Sequence, residues 1–281
     1  MDNRPIGFFD SGLGGLTCIP YLMRRLPEEK IIYFGDTART PYGSKAIRTI
    51  KGFSMEIADF LVKSNVKMIV IACNTVSATC VDDLRLKFPN IPFLGIIEPT
   101  ARQVAAECDA SKNVGIIGTK VTIASHAYKD MIQELNSTLD IKENACPAFV
   151  PLIEEGIIDN DIMDLTIKYY MDQFVKDNAL DTIVLGCTHY PLIKKNIERI
   201  YPELNIVNPS SIIVDRIEEI LRDGNMFANG SDFRNVFFAS DLSENFLNMI
   251  DHIFAEEADD AKVKFLNFDL EKELMNRGRN Q

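Results

Sequence analysis

Two segments of the chain share one short plan, Ile69-Val70-Ile71-Ala72-Cys73-Asn74-Thr75 and Ile183-Val184-Leu185-Gly186-Cys187-Thr188-His189. In each, an apolar run ends in a small residue, then a cysteine, then residues bearing an amide or a hydroxyl. A cysteine between a strand and a helix sits beside unpaired N–H groups and the positive end of the helix dipole. That placement lowers the thiol pKa and favours the reactive thiolate. Two such thiols facing each other across a cleft can take a proton from one face of a small substrate and return one to the other. A lone cysteine after a buried strand is more often a small hydrophobe. Cys18, Cys80, Cys108 and Cys146 lack the loop context and are read that way. For Cys73 and Cys187 the matched settings favour an internal pseudo-repeat that supplies an acid/base pair.

Three further turns follow apolar runs: Asp10-Ser11-Gly12-Leu13-Gly14-Gly15, Gly35-Asp36-Thr37 and Gly118-Thr119. Turns that open helices present free N–H groups and can hold carboxylates or phosphates. The first fits neither the dinucleotide fingerprint nor the phosphate loop, and a tight strand-to-helix turn with a capping serine explains it equally well. His189 is either a group that tunes Cys187 or the substrate, or a capping or surface histidine. Asp10 and Asp36 are either partners of Cys73 and of nearby donors, or helix caps. Glu154 stands beside Glu155, and paired acids are usually solvated.

The elements that must carry these loops follow from apolar periodicity. Strands are predicted at 6–9, 31–34, 68–72, 93–97, 114–117, 183–185, 206–207 and 236–238, most of them apolar on both faces, as in parallel sheets covered on each side. A helix is predicted over 44–64, with Ile47, Ile50, Phe53, Ile57, Phe60 and Leu61 on its apolar face. Another is predicted over 161–177, with Ile162, Leu165, Tyr169 and Phe174 inward. The alternation implies an α/β fold with right-handed crossovers and mainly parallel sheets flanked by helices. Proline-marked breaks at Glu98-Pro99 and Asn208-Pro209 divide the chain into one domain of 1–97 plus 210–281 and a second of 98–209. Sites of such folds lie at strand carboxyl ends, often between domains.

The bulk composition narrows the partners. With 281 residues, 46% hydrophobic and 25% charged, the chain suits one large or two ordinary globular domains. A net charge of −11 argues against nucleic acid, and it means that an anionic substrate is held by local donors in a cleft. No run approaches the roughly 20 apolar residues of a membrane span. Residues 1–5 lack a signal-peptide layout. Six cysteines without a C-x-x-C pair suggest neither a disulfide framework nor a zinc ribbon, so a reducing cytoplasm is expected. A metal site from Cys73, Cys187 and His189 lacks ligand spacing and a fourth ligand, so no metal is expected.

Taken in order, Phe8-Phe9-Asp10-Ser11-Gly12-Leu13-Gly14-Gly15, Tyr33-Phe34-Gly35-Asp36-Thr37-Ala38, Pro41-Tyr42-Gly43, Ala72-Cys73-Asn74-Thr75 and Gly186-Cys187-Thr188-His189-Tyr190-Pro191 span nearly the whole chain. In these motifs the sequence resembles the bacterial glutamate racemases of the aspartate/glutamate racemase superfamily. The resemblance implies two similar α/β domains with the site in the cleft between them. It also implies interconversion of L- and D-glutamate without a cofactor, supplying D-glutamate for peptidoglycan. By that analogy Cys73 acts on the α-proton of the D-enantiomer, with Asp10 assisting. Cys187 acts on that of the L-enantiomer, with His189 and Glu154 assisting. Asp10, Ser11, Pro41, Tyr42, Gly43, Asn74, Thr75, Thr119, Thr188 and His189 would surround the substrate, with Thr122 beside them. A bacterial cytoplasmic homodimer is expected. Some relatives carry an N-terminal extension linked to activation by a peptidoglycan precursor. Only five residues precede the first strand here, so no such activation is expected.

Within the superfamily the nearest rivals are aspartate or hydantoin racemases and a single-cysteine decarboxylase. Two cysteines favour stereoinversion, and the motifs favour glutamate. A non-catalytic amino-acid-binding protein would need neither thiol.

Overall fold

The computed structural model describes residues 1–230 and 235–241, positions 247, 249, 250, 253 and 254, and the strand backbone at 263–267. Along the chain come β1 (Ile6–Asp10), β2 (Ile31–Gly35), β3 (Met68–Ile71) and β4 (Phe93–Gly95). Next are β5 (Val114–Gly118), β6 (Ile141–Ala145), β7 (Thr182–Gly186) and β8 (Asn205–Val207), then β9 (Asn235–Ala239) and β10 (Val263–Asn267). One sheet has the order β10-β9-β2-β1-β3-β4, the other β6-β5-β7-β8, and every pairing is parallel. The fold is therefore two α/β domains built on parallel sheets flanked by helices.

The strands form because they are wanted on both faces. All five residues of β1, of β5 and of β7 are buried, which is the environment of a parallel strand between helical layers. Residues of both sheets contribute to one large apolar cluster, while a second packs the other face of the first sheet.

The helices used below are α1 (Ile19–Arg25), α2 (Ile47–Lys63), α3 (Asn74–Thr79), α4 (Val81–Lys87), α5 (Ile97–Glu107), α6 (Lys120–Ala124), α7 (Ala127–Leu135), α8 (Phe149–Glu154), α9 (Asp161–Asp177), α10 (Lys194–Ile200) and α11 (Pro209–Asp223). In α2 the expected face is buried at Ile50, Ile57 and Leu61, whereas Ile47 is half exposed. Asn208 caps α11 through the Ser210 N–H at 3.1 Å, with Pro209 in the first turn, so the proline-marked break there is a helix start.

Four expectations are corrected. Glu98-Pro99 does not end an element; both residues lie in the first turn of α5, a place where a proline ring and a missing N–H are tolerated. This shortens the strand expected at 93–97 to β4. Helix α9 has the expected bounds but the opposite face inward. Met163, Ile167 and Met171 are buried, while Ile162, Leu165 and Tyr169 are 56%, 66% and 80% exposed. Two stripes of similar hydrophobicity lie on nearly opposite sides of that helix, with Phe174 packed against the core on the buried side, and hydrophobicity alone does not choose between them. Strands β6 and β10 were not anticipated. Both are edge strands, and the Ile-Lys-Glu-Asn-Ala of β6 has no apolar run to reveal it.

Candidate active site

The carboxyl ends of β1, β3, β5 and β7 meet at one cleft of about 290 Å3, part of it open to solvent. Cys73 follows β3 and caps α3 in extended backbone, with its carbonyl accepting from the Ser77 N–H at 2.8 Å. Cys187 follows β7 and leads into a short 3-10 turn at Tyr190–Ile193. Both thiols line the cleft, one from each sheet.

The two halves approach closely because glycines let them. A Cβ on Gly14 would overlap the Thr188 hydroxyl and the His189 ring, and one on Gly43 would overlap Thr119. Thr17 fastens the same seam. Its hydroxyl lies 2.7 Å from the Gly14 carbonyl, 3.1 Å from the Thr188 carbonyl and 2.8 Å from the Ser210 hydroxyl.

Around Cys73, the thiol points at the Ser11 hydroxyl 3.5 Å away. Asp10 is fully buried behind it. One carboxylate oxygen accepts from the Gly12 N–H at 3.0 Å, the other from the Thr188 hydroxyl at 3.1 Å. Burial pushes Asp10 up from the ordinary carboxylate range, against the nearby His189 charge and these donors. Around Cys187, a chain of contacts leads away from the cleft. His189 Nδ1 is 3.8 Å from the Cys187 sulfur, and Nε2 is 3.1 Å from Glu154, which also accepts from the Thr40 hydroxyl at 3.3 Å. Burial opposes protonation of His189, but its bonds to Cys187 and Glu154 outweigh it and hold the imidazole well above its usual pKa.

The helix-start placement does not lower the Cys73 thiol. Burial, and then the Asp10 charge, push it up to about 12, although the Ser11 hydroxyl and the Val76 N–H pull it down. A six-residue helix end supplies less than the loss of water costs.

Of the residues singled out from the sequence, Ser11, Pro41, Tyr42, Gly43, Asn74, Thr75, Thr119, Thr188 and His189 line the cleft with the two cysteines. Asp10 and Glu154 stand behind this layer. Thr122 lies deeper, 3.0 Å from the Thr119 hydroxyl and 3.3 Å from that of Thr75. Asp36 neither lines the cleft nor caps its helix through its side chain. It accepts from Tyr42, from Arg39 at 2.7 Å and from Ser240 at 2.9 Å, and so anchors the loop at 40–43. Thr40 and Val150 also line the cleft and were missed. Thr40 abuts the Pro41 motif and could have been included with it; Val150, at the start of α8, left no sequence signal.

No lysine or arginine lines the cleft among the described residues. A carboxylate bound there meets neutral donors and the His189 imidazole, and one neutral donor is ready: the Asn74 amide nitrogen is buried without a hydrogen-bond partner among the described residues. A two-domain α/β fold with a thiol from each sheet in one cleft, each backed by carboxylate or imidazole groups, can carry out proton-transfer chemistry. The chain belongs to the Asp/Glu/Hydantoin racemase family, whose model matches residues 18–217. It is 47% identical over 217 residues to a glutamate racemase of Sulfurihydrogenibium sp., covering 77% of this chain and 82% of the relative. It is 43% identical over 251 residues to that of Geobacter metallireducens, covering 89% and 92%. The crystal structure of glutamate racemase from Francisella tularensis in complex with D-glutamate superposes with a TM-score of 0.88 at 34% identity, covering 97% of this chain and all of that one. The protein is thus an isomerase, an amino-acid racemase.

Proposed function

We propose that the protein is a glutamate racemase working by two bases and no cofactor, with Cys73 and Cys187 on opposite faces of the α-carbon. One observation carries this reading: two cysteine loops of one plan, one from each sheet, open into a single cleft. In the D-to-L direction the Cys73 thiolate takes the α-proton, and the electron pair left on carbon spreads into the α-carboxylate. The Cys187 thiol then gives its proton to the other face. Cys73 ends as thiol and Cys187 as thiolate, so the reverse direction starts from the state the forward one leaves.

The other residues divide between the two thiols and the substrate. Asp10 assists at Cys73, and His189 with Glu154 assists at Cys187. The high pKa of Cys73 demands a partner for the thiolate. The substrate ammonium supplies one, since an opposite charge within a few ångströms favours the ionised form. The carboxylates are met by Ser11, the Asn74 amide, the Thr75, Thr119 and Thr188 hydroxyls and the loop Pro41-Tyr42-Gly43. Closure of the cleft excludes water and strengthens each of these contacts.

The same reading divides the domains as 1–97 plus 210–281 and 98–209, and places the enzyme in the bacterial cytoplasm as a source of D-glutamate for peptidoglycan. It acts as a homodimer, for which the exposed Ile162, Leu165 and Tyr169 of α9 offer an apolar face.

The test is a circular-dichroism time course on L-glutamate in D2O, with deuterium at the α-carbon read by mass spectrometry and nothing else added. Loss of the optical signal with deuterium incorporation is expected. An unchanged signal with glutamate, followed by turnover of aspartate, would refute the substrate assignment.

A further inference from the structure

One donor of the cleft lining is held in place by a residue outside that lining. Asn74 opens α3 directly after Cys73 and is only 2% exposed. Its amide oxygen accepts from the phenol of Tyr128 at 2.6 Å, while its nitrogen has no partner among the described residues. An amide can lie either way round, and the partner of its oxygen decides which end faces out. Tyr128 is a fully buried phenol whose O–H must find an acceptor, and it donates to Asn74 Oδ1. Burial pushes the phenol far above its ordinary pKa, so it stays a donor. Thr100, whose hydroxyl donates to the Ile96 carbonyl at 2.9 Å, lies against the same phenol.

Tyr128 stands on α7, which packs on α5 in the half of the molecule built on the second sheet. Asn74 belongs to the first sheet. The bond therefore crosses from one half to the other. With it in place the NH2 is the end of the amide left without a partner among the described residues, on a side chain that lines the cleft. A buried donor left unpaired is costly, and an arriving carboxylate oxygen removes that cost.

We propose that Tyr128 is a positioning residue for substrate binding: across the two halves of the molecule it fixes the Asn74 amide so that its NH2 group faces a substrate carboxylate. The inference rests on the racemase reading above. In Tyr128→Phe the ring and its packing remain, but the amide is free to turn its oxygen to the cleft, where it repels a carboxylate.

The experiment compares the unaltered enzyme with Tyr128→Phe, Asn74→Ala and the double variant, on both enantiomers, with thermal melts of each. Tyr128→Phe is expected to raise KM about 10-fold while kcat changes by less than about 3-fold, the size of one oriented hydrogen bond. The double variant is expected to be no worse than Asn74→Ala, because the phenol acts only through that amide. A folded Tyr128→Phe with unchanged KM, or losses that simply multiply in the double variant, would overturn the proposal. If Tyr128→Phe does not fold, side-chain amide NMR of the unaltered protein decides. The Asn74 NH2 signals are expected to shift on adding D-glutamate, and signals that stay put at saturation would refute the proposal. An unaltered enzyme inactive on glutamate would instead count against the racemase reading, and the NMR titration would still report on the amide.

Discussion

At the scale of single residues, the two thiols differ in what surrounds them. Cys73 faces a hydroxyl and a buried carboxylate, whereas Cys187 faces an imidazole tied to Glu154. Because burial and Asp10 push Cys73 up to about 12, it is a thiol at neutral pH. The proton lost on ionisation is bound tightly, so the thiolate fraction grows about tenfold per pH unit until that pKa is neared. Alkylation of Cys73 by iodoacetamide in the absence of substrate, followed by peptide mass spectrometry, should rise with that slope between about pH 7 and about pH 9. A plateau below about pH 8 would show that the thiol is not raised.

The sequence made Cys73 and Cys187 visible because their loops repeat one plan, and most cleft-lining residues visible because they lie in motifs of the same kind. It did not reveal the sign of the Cys73 shift, since helix-end placement is local while the loss of water depends on everything packed around the sulfur. Tyr128 and Val150 were invisible for a related reason. An aromatic or apolar residue in a helix looks like core, and their relation to the cleft exists only across the fold.

At the scale of elements, the site depends on how closely the β1 loop and the β7 loop can approach. Gly14 is the contact point, where any side chain would meet Thr188 and His189. Gly14→Ala should displace the Cys187 loop by a fraction of an ångström to an ångström and lower kcat/KM about 10²-fold, while the melting temperature falls only modestly. Gly52, exposed within α2 with nothing near its missing Cβ, makes the contrast. Gly52→Ala should stabilise the fold by about 0.5–1 kcal/mol in thermal or urea melts and leave turnover unchanged. Equal losses in both variants would show that the seam at Gly14 has no special role. Element types were largely legible, because buried parallel strands are short apolar runs and most helices carry one clear stripe. Helix α9 was misread, since Ile162, Leu165 and Tyr169 form as good a stripe as Met163, Ile167 and Met171. Which stripe is buried depends on the angle at which the helix meets β6 and α10, and that angle is set by neighbours far away in sequence.

At the scale of the whole molecule, the racemase reading has an acidic protein bind an acidic substrate with no lysine or arginine in the lining among the described residues. The field of −11 charges repels glutamate at long range, so the donors of the cleft must supply both affinity and orientation. Added salt screens that repulsion over about 10 Å at 0.1 M and should lower KM slightly, whereas a cleft that relied on steering by basic residues would bind more weakly in salt. The reversal of sign is checked by steady-state kinetics over a salt series.

The central claim is that both thiols are needed, one on each face of the α-carbon. It is tested most directly by Cys73→Ser and Cys187→Ser, each assayed for racemisation of both enantiomers by circular dichroism. Folding is checked by far-ultraviolet spectra and melting. A serine hydroxyl is far too weak an acid to take the part of either thiol, so each variant should keep its fold and lose racemisation in both directions. Turnover near that of the unaltered enzyme in either folded variant would contradict the account.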